Sequence, residues 1–212
     1  MADINNVNYS EIKTRTRIIW QKGWDVNDGI CDVSKEMTQI NTVWSGKKCN
    51  KFIKVWNDNI QAMAKYFKLL QFDLPIFLGK VAKRFSQIDG EELGTPGYGW
   101  GSGLKEIQLT DENTLRFLTE EVKQFQQRLT TRFNTSTEAI DTILAEVRAL
   151  PWDSDSSQAF LPVLESISVD AKNAISNISA TLSDMIIESV NTAEKLEGQN
   201  VQEGSTFGSS NQ

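Results

Sequence analysis

The sequence predicts an all-α fold: two tandem antiparallel helical hairpins packed into a single-chain four-helix bundle. Three observations predict it. Apolar residues recur at heptad spacing over long runs, only 4 prolines interrupt 212 residues, and a tryptophan-centred turn divides each half of the chain.

The elements follow in chain order. In residues 1–90, Tyr9, Thr16, Gly23, Ile30, Met37 and Trp44 form one seam, seven residues apart. Ile12, Ile19, Val26, Val33 and Ile40 trail each by three, so both rows share one helix face. Asn8 with Glu11 three residues on caps this helix. The second helix repeats the pattern with Cys49, Trp56, Met63, Leu70 and Phe77, interleaved with Ile53, Ile60, Phe67, Leu74, Val81 and Ile88, and Asp89-Gly90 stops it. Pro75 sits inside it in phase with the seam and predicts a kink, not an end.

Residues 91–109 are a Gly-rich linker. Its glycines match neither the phosphate loop nor the dinucleotide fingerprint. Tyr98 and Trp100 are unusual in a purely flexible linker and are candidates to dock on the helices. Residues 110–198 make a second, less regular hairpin. Thr110 caps a helix with Asp111 and Glu112 in its first turn and a stripe from Leu115 and Leu118 to Leu150. A break at Pro151–Asp155 follows, then a fourth helix, opened by Asp155 with Gln158 and ended by Gly198, although Pro162 blurs its start. Residues 199–212 are polar and predicted to be disordered.

Composition narrows the function. The chain has no His, the commonest general base, and its carboxylates fall in no recognised ligand spacing, so neither catalysis, a metal site nor a cofactor is expected. No apolar run is long enough to span a bilayer, and the N-terminus lacks the features of a signal peptide, so stable membrane insertion is not expected. The acidic balance argues against nucleic acid as a partner. Cys31 and Cys49 lie at different distances from the turn, some 15 Å apart along the hairpin by helix rise, so both are predicted to be reduced. Asn134-Thr135-Ser136 and Asn177-Ile178-Ser179 fit a glycosylation pattern that arises often by chance.

Charge divides the chain. Residues 1–90 hold 14 Lys/Arg against 9 Asp/Glu, a net of +5; residues 91–212 hold 8 against 19, a net of −11. Either the halves face each other or both are solvated surfaces. On the first reading the hairpins dock antiparallel, tip to tail. Lys47, Lys48, Lys51 and Lys54 then face acids such as Glu112 and Glu120, and Asp153 and Asp155 come near Lys80, Lys83 and Arg84. The linker must span a hairpin of about 50 Å, which roughly 20 extended residues can do.

Trp44-Ser45-Gly46 lies between two helices of similar length, where Gly supplies the backbone freedom and Trp covers the hairpin's end. At the end of the second helix stands Phe85-Ser86-Gln87-Ile88-Asp89, an aromatic residue and an acid four places apart. Together these residues resemble the Trp-x-Gly family of small type VII secretion substrates, relatives of the early secreted antigenic target of mycobacteria. The resemblance covers residues 1–90. The family's export signal usually carries Tyr where this chain has Phe85, and the alternative is that Phe85 is a core residue and Asp89 a helix-terminal acid. Residues 105–197 resemble only a degenerate second copy, with Trp152 in place but no Gly beside it.

The resemblance implies a non-enzymatic helical protein of Gram-positive bacteria or mycobacteria. It would be exported folded from the cytoplasm, without a signal peptide, to the cell surface or medium. A secretion-system membrane ATPase would read Phe85 and Asp89, acting with Trp44 or Trp152. The chain is then either the substrate itself or a helper that escorts a larger toxin or effector. The rival expectation is a cytoplasmic coiled-coil adaptor or scaffold that is not exported.

Overall fold

The computed structural model describes residues 4–94, 97–101 and 103–207. Helix predominates. A short strand, β1 (Ile4–Val7), leads into α1 (Tyr9–Met37); a 3-10 turn (Ile40–Thr42) and β2 (Trp44–Ser45) lead into α2 (Lys47–Lys68). A π-turn (Leu69–Asp73) joins α2 to α3 (Leu74–Ser86), which closes in a 3-10 turn at Gln87–Asp89. After a long irregular segment come β3 (Arg116–Phe117), α4 (Thr119–Arg148), β4 (Trp152–Ser154) and α5 (Asp155–Thr206).

The caps explain most of the helix ends. Asn8 Oδ1 accepts from the Glu11 amide at 2.9 Å, satisfying one unpaired donor of α1. Gly90 takes the left-handed conformation, φ 75°, behind the last turn of the hairpin. Ser157 Oγ accepts from the Ser154 amide at 3.1 Å and donates to Ser154 O, so Ser154 and Ser157 open α5 in place of Asp155 and Gln158.

Several predicted boundaries are corrected. α4 starts at Thr119, not after Thr110, because both the amide and the hydroxyl of Thr110 are held by Asn50 Oδ1, at 2.7 and 2.8 Å. Leu115 and Leu118 therefore lie outside the helix and are exposed. α5 runs through Gly198 to Thr206, so the predicted tail is helical over 199–206; residues 208–212 lie outside the described ones. Pro162 is accommodated within α5's third turn. The four short strands were not predicted.

Pro75 does not leave the seam in phase. The π-turn ahead of it adds a residue to the helical repeat, with the Leu74 amide bonding Leu69 O, five residues back. That wider turn gives room to a ring that would otherwise press on the preceding turn, and Pro75 sits in the first turn of α3, where a missing N–H is tolerated. Beyond it the buried face widens and shifts by about one position: Leu78, Ala82 and Ser86 are buried beside the expected Val81, while Ile88 is 67% exposed.

Neighbouring helices run antiparallel. α1 lies along α4 and α3, α4 along α5, and α2 along α5. Arg15–Glu146 at 3.1 Å and Arg128–Glu36 at 2.8 Å fix the sense of α1 against α4; Arg148–Glu165 and Lys123–Glu194 do so for α4 against α5. One apolar cluster, from Ile12 to Val190, draws on both hairpins. The strands tie each tip to the other hairpin's open end. β2 pairs with β3 (Trp44 opposite Phe117), and β1 pairs with β4 (Val7 opposite Trp152). Hairpin one thus lies tip to tail on hairpin two.

Candidate functional site at the hairpin tips

The first tip is built on Trp44 and Gly46. Gly46 has φ 100° and ψ −174°, a region essentially reserved for glycine, and from there the chain turns directly into α2. Its amide donates to Thr110 Oγ1 at 3.0 Å. The Trp44 ring is 1% exposed and packs against Phe52 at 5.3 Å and edge-on to Phe117 at 5.6 Å. Ser45 Oγ donates to Thr114 O and accepts from the Arg116 amide. The Cys49 thiol donates to Trp44 O, and burial pushes it up to about 12. Cys31, also pushed up, to about 11, is not joined to Cys49.

The second tip uses different chemistry. Trp152 is 7% exposed, stacks on Phe160 at 5.7 Å and meets Phe77 at 6.2 Å. Its Nε1 donates to Ser154 Oγ at 2.8 Å and Ser156 Oγ at 3.3 Å. No left-handed residue is needed, since Ser154 is fully extended at φ −161°.

Phe85 and Asp89 lie at the end holding Trp152, not Trp44, since β1 next to α1's start pairs with β4. Phe85 is half-buried against the core, and Asp89 is exposed in the closing 3-10 turn. The Tyr9 phenol is raised by burial first, then by the Glu91 and Asp89 carboxylates beside it.

The expected lysine contacts are corrected. Lys48 reaches Glu188 on α5 at 2.9 Å, not Glu112 or Glu120. Its hydrogen bond lowers the Glu188 carboxyl, with Lys51 adding to the effect. Lys47 and Lys54 are exposed. Glu120 instead shares Lys123 with Glu194, and Glu112 is exposed in the turn ahead of β3. The reason is the late start of α4, which keeps residues 110–115 in an irregular segment with a turn at 112–113 and leaves α5 to face α2.

The segment lies along hairpin one, and Tyr98 docks there as expected, stacked on Trp20 at 5.1 Å and 3.1 Å from Thr16 Oγ1. The helix side chains that hold it further along are the ones the sequence reading missed. Trp100 is 40% exposed. Asn27 Nδ2 donates to Gly101 O, Ser34 Oγ accepts from the Lys105 amide, and Trp56 Nε1 donates to Lys105 O. Asn57 and Asn50 each bond both main-chain groups of one residue, Ile107 and Thr110 respectively, at 2.7–2.9 Å. Two asparagines seven apart beside the seam residues Cys49 and Trp56 were the available signal.

Among the described residues, no group of three or more side chains could hold a metal ion, and no helix is long and apolar enough to cross a membrane. No family model, curated protein or solved structure matches the chain.

Proposed function

We propose that this protein is a type VII secretion substrate, or a helper escorting a larger toxin or effector to the secretion apparatus. It acts without catalysis, as a single-chain four-helix bundle of two helical hairpins, the first of Trp-x-Gly type and the second a degenerate copy without the glycine. The observation that carries this reading is the pairing of a Trp44-Ser45-Gly46 turn with Phe85 and Asp89 on the closing end of the same hairpin. The tip-to-tail packing supports it further, because Trp152 then lies at the end that carries Phe85 and Asp89. A membrane ATPase reading a composite surface in cis would meet the exposed Asp89 and the edge of Phe85, with Trp152 holding the end together. The place of Asp89 in the 3-10 turn that closes the first hairpin favours a second reading, a non-exported helical adaptor in which this acid is structural.

The test compares culture supernatant with lysate for the wild type, Phe85→Ala and Asp89→Ala, with and without the motor ATPase. Loss of export in both variants and in the ATPase-deficient strain, with helicity unchanged, is the expected result. Normal export of both variants, or export without the ATPase, sinks the proposal and leaves the adaptor.

A further inference from the structure

Charge on α1 is balanced locally, with one exception. Arg15 pairs with Glu11 and Glu146, Lys22 with Asp25, and Lys35 with Asp32. The helix's two other basic residues, Lys13 and Arg17, are ion-paired with no acid among the described residues. They stand four apart on the helix, where like charges repel and destabilise it unless an anion lies between them. Folding does not explain such a pair in a chain of net charge −6.

Both residues line one groove. Its volume is about 640 Å³, within the range of small-molecule sites, and its other walls are Ser10, Thr14, Trp20, Leu93, Gly97 and Tyr98. No acid is among these residues; Asp89 and Glu91, at the same end of hairpin one, stand beside the Tyr9 phenol instead. The groove is therefore cationic in an acidic protein. Ser10, Lys13, Arg17 and Trp20 recur at three- and four-residue steps and so share one face of α1. Lys13 and Arg17 are close enough to hold a single anion between them, and Trp20 lies three residues further, about 5 Å along the axis. Trp20 and Tyr98 are stacked at 5.1 Å with 20° between their planes, which makes that end of the groove aromatic. Both rings are fixed in advance: Trp24 meets Trp20 edge-on at 6.1 Å, and the Tyr98 hydroxyl lies 3.1 Å from Thr16 Oγ1.

We propose that this groove is a binding site for a small ring-bearing anion, an aryl phosphate or aryl carboxylate. The anionic group sits between Lys13 and Arg17, and the ring lies against Trp20 and Tyr98. Ammonium and guanidinium groups only donate hydrogen bonds, so they take a group that only accepts, and the guanidinium fork matches phosphate and carboxylate oxygens. A bare inorganic anion would leave most of the groove unfilled. The ring supplies the apolar contact that fixes the ligand where charge alone would be screened by salt. The site includes neither Phe85 nor Asp89, and the inference does not rest on export.

The experiment is isothermal titration of the full chain with naphthyl phosphate, and with inorganic phosphate and naphthol as its two halves. Saturable binding of naphthyl phosphate is expected, at least about tenfold tighter than either half. Lys13→Gln combined with Arg17→Gln should weaken it by about tenfold or more, whereas Lys65→Gln, at an exposed lysine of α2, should leave it unchanged. Naphthol binding as tightly as naphthyl phosphate would assign the ring to an apolar surface elsewhere and overturns the proposal. So does phosphate binding as tightly, equal loss in the Lys65→Gln variant, or no saturable binding at millimolar concentration. Should the double variant lose helicity, NMR on the wild type decides. The Trp20 indole N–H resonance, identified by its loss in Trp20→Phe, should move on titration with naphthyl phosphate while that of the buried Trp44 stays. A stationary Trp20 resonance overturns the site.

Discussion

The two tips do the same job with different chemistry. Each turns a helix back on its hairpin, buries a tryptophan, and pairs a two- or three-residue strand with the entrance of the other hairpin. At the first tip the turn is made by backbone geometry, with Gly46 at φ 100° and a nearly fully buried Trp44. At the second it is made by hydroxyls: Ser154, Ser156 and Ser157 satisfy the turn and the indole N–H without any left-handed residue. Glycine is thus a requirement of one way of making the turn, not of the hairpin. A hairpin lacking the glycine can keep the architecture if polar side chains take over its hydrogen bonding.

Substitutions at matched positions separate the two designs. Trp44→Ala should cost about 3–5 kcal/mol in denaturant unfolding, since the ring packs among Phe52 and Phe117 with almost no exposure. Trp152→Ala should fall at the lower end, about 3 kcal/mol, because the ring is slightly more exposed, 7% against 1% for Trp44. Equal losses would mean that the tips are equivalent after all. Gly46→Ala should cost about 1–3 kcal/mol through backbone strain alone, since the added Cβ would meet nothing closer than 3.6 Å. Ser154→Ala removes hydroxyl contacts at the start of α5 and should cost about 1 kcal/mol.

The buried thiol beside the first tip adds a pH dependence that the second tip lacks. Burial raises Cys49 to about 12 from an ordinary value of 9.0, so the unfolded chain releases this proton first as pH rises. The stability contributed by the protonated thiol is intact below about 9 and should decline between there and about 12. Cys49→Ser or Cys49→Ala should make that alkaline limb shallower in unfolding curves recorded across this range, with Cys31, also raised, to about 11, keeping the remainder. The smallest effect is expected at Lys48. Its pair with Glu188 is largely exposed, so Lys48→Ala should leave the melting temperature unchanged. Glu188, held low by Lys48, should move up in an NMR titration of that variant.

The contrast between tips also marks where the sequence was legible. α1, α2 and the turn at Trp44–Gly46 could be read because a buried stripe repeats at seven-residue spacing and glycine marks a specific backbone geometry. Thr110-Asp111-Glu112 carries the same local signature as a helix start, yet Thr110 is held by Asn50, 60 residues away. No local pattern contains that competition. The end of α5 was misplaced for the opposite reason: residues 194–207 are exposed, so no tertiary contact stops the helix and Gly198 is simply tolerated within it. At the candidate site, Trp44, Gly46 and Trp152 occupy the turns, whereas the lysine partners were mispaired because acidic density does not reveal which helix adjoins which.

The π-turn has a consequence for how this chain tolerates insertions and deletions. The one residue it adds sets the azimuth of everything downstream on α3, so it decides which aromatic ring looks inward and which looks sideways. With the extra residue in place, Leu78 takes the interior and Phe77 turns aside to meet Trp152 and Phe160 at 6.2 and 4.7 Å. Removing a single residue between Leu69 and Asp73 would let the wide turn close to an ordinary one with α3 facing as before. Adding one residue to the turn, which is already widened, would instead rotate α3 by roughly 100°, the turn per residue of an ordinary helix. Phe77 would leave the ring contact, and the second hairpin's tryptophan would lose a neighbour contributed by the first. A length change within one helix is therefore felt at the tip of the other hairpin, although no residue at that tip has altered.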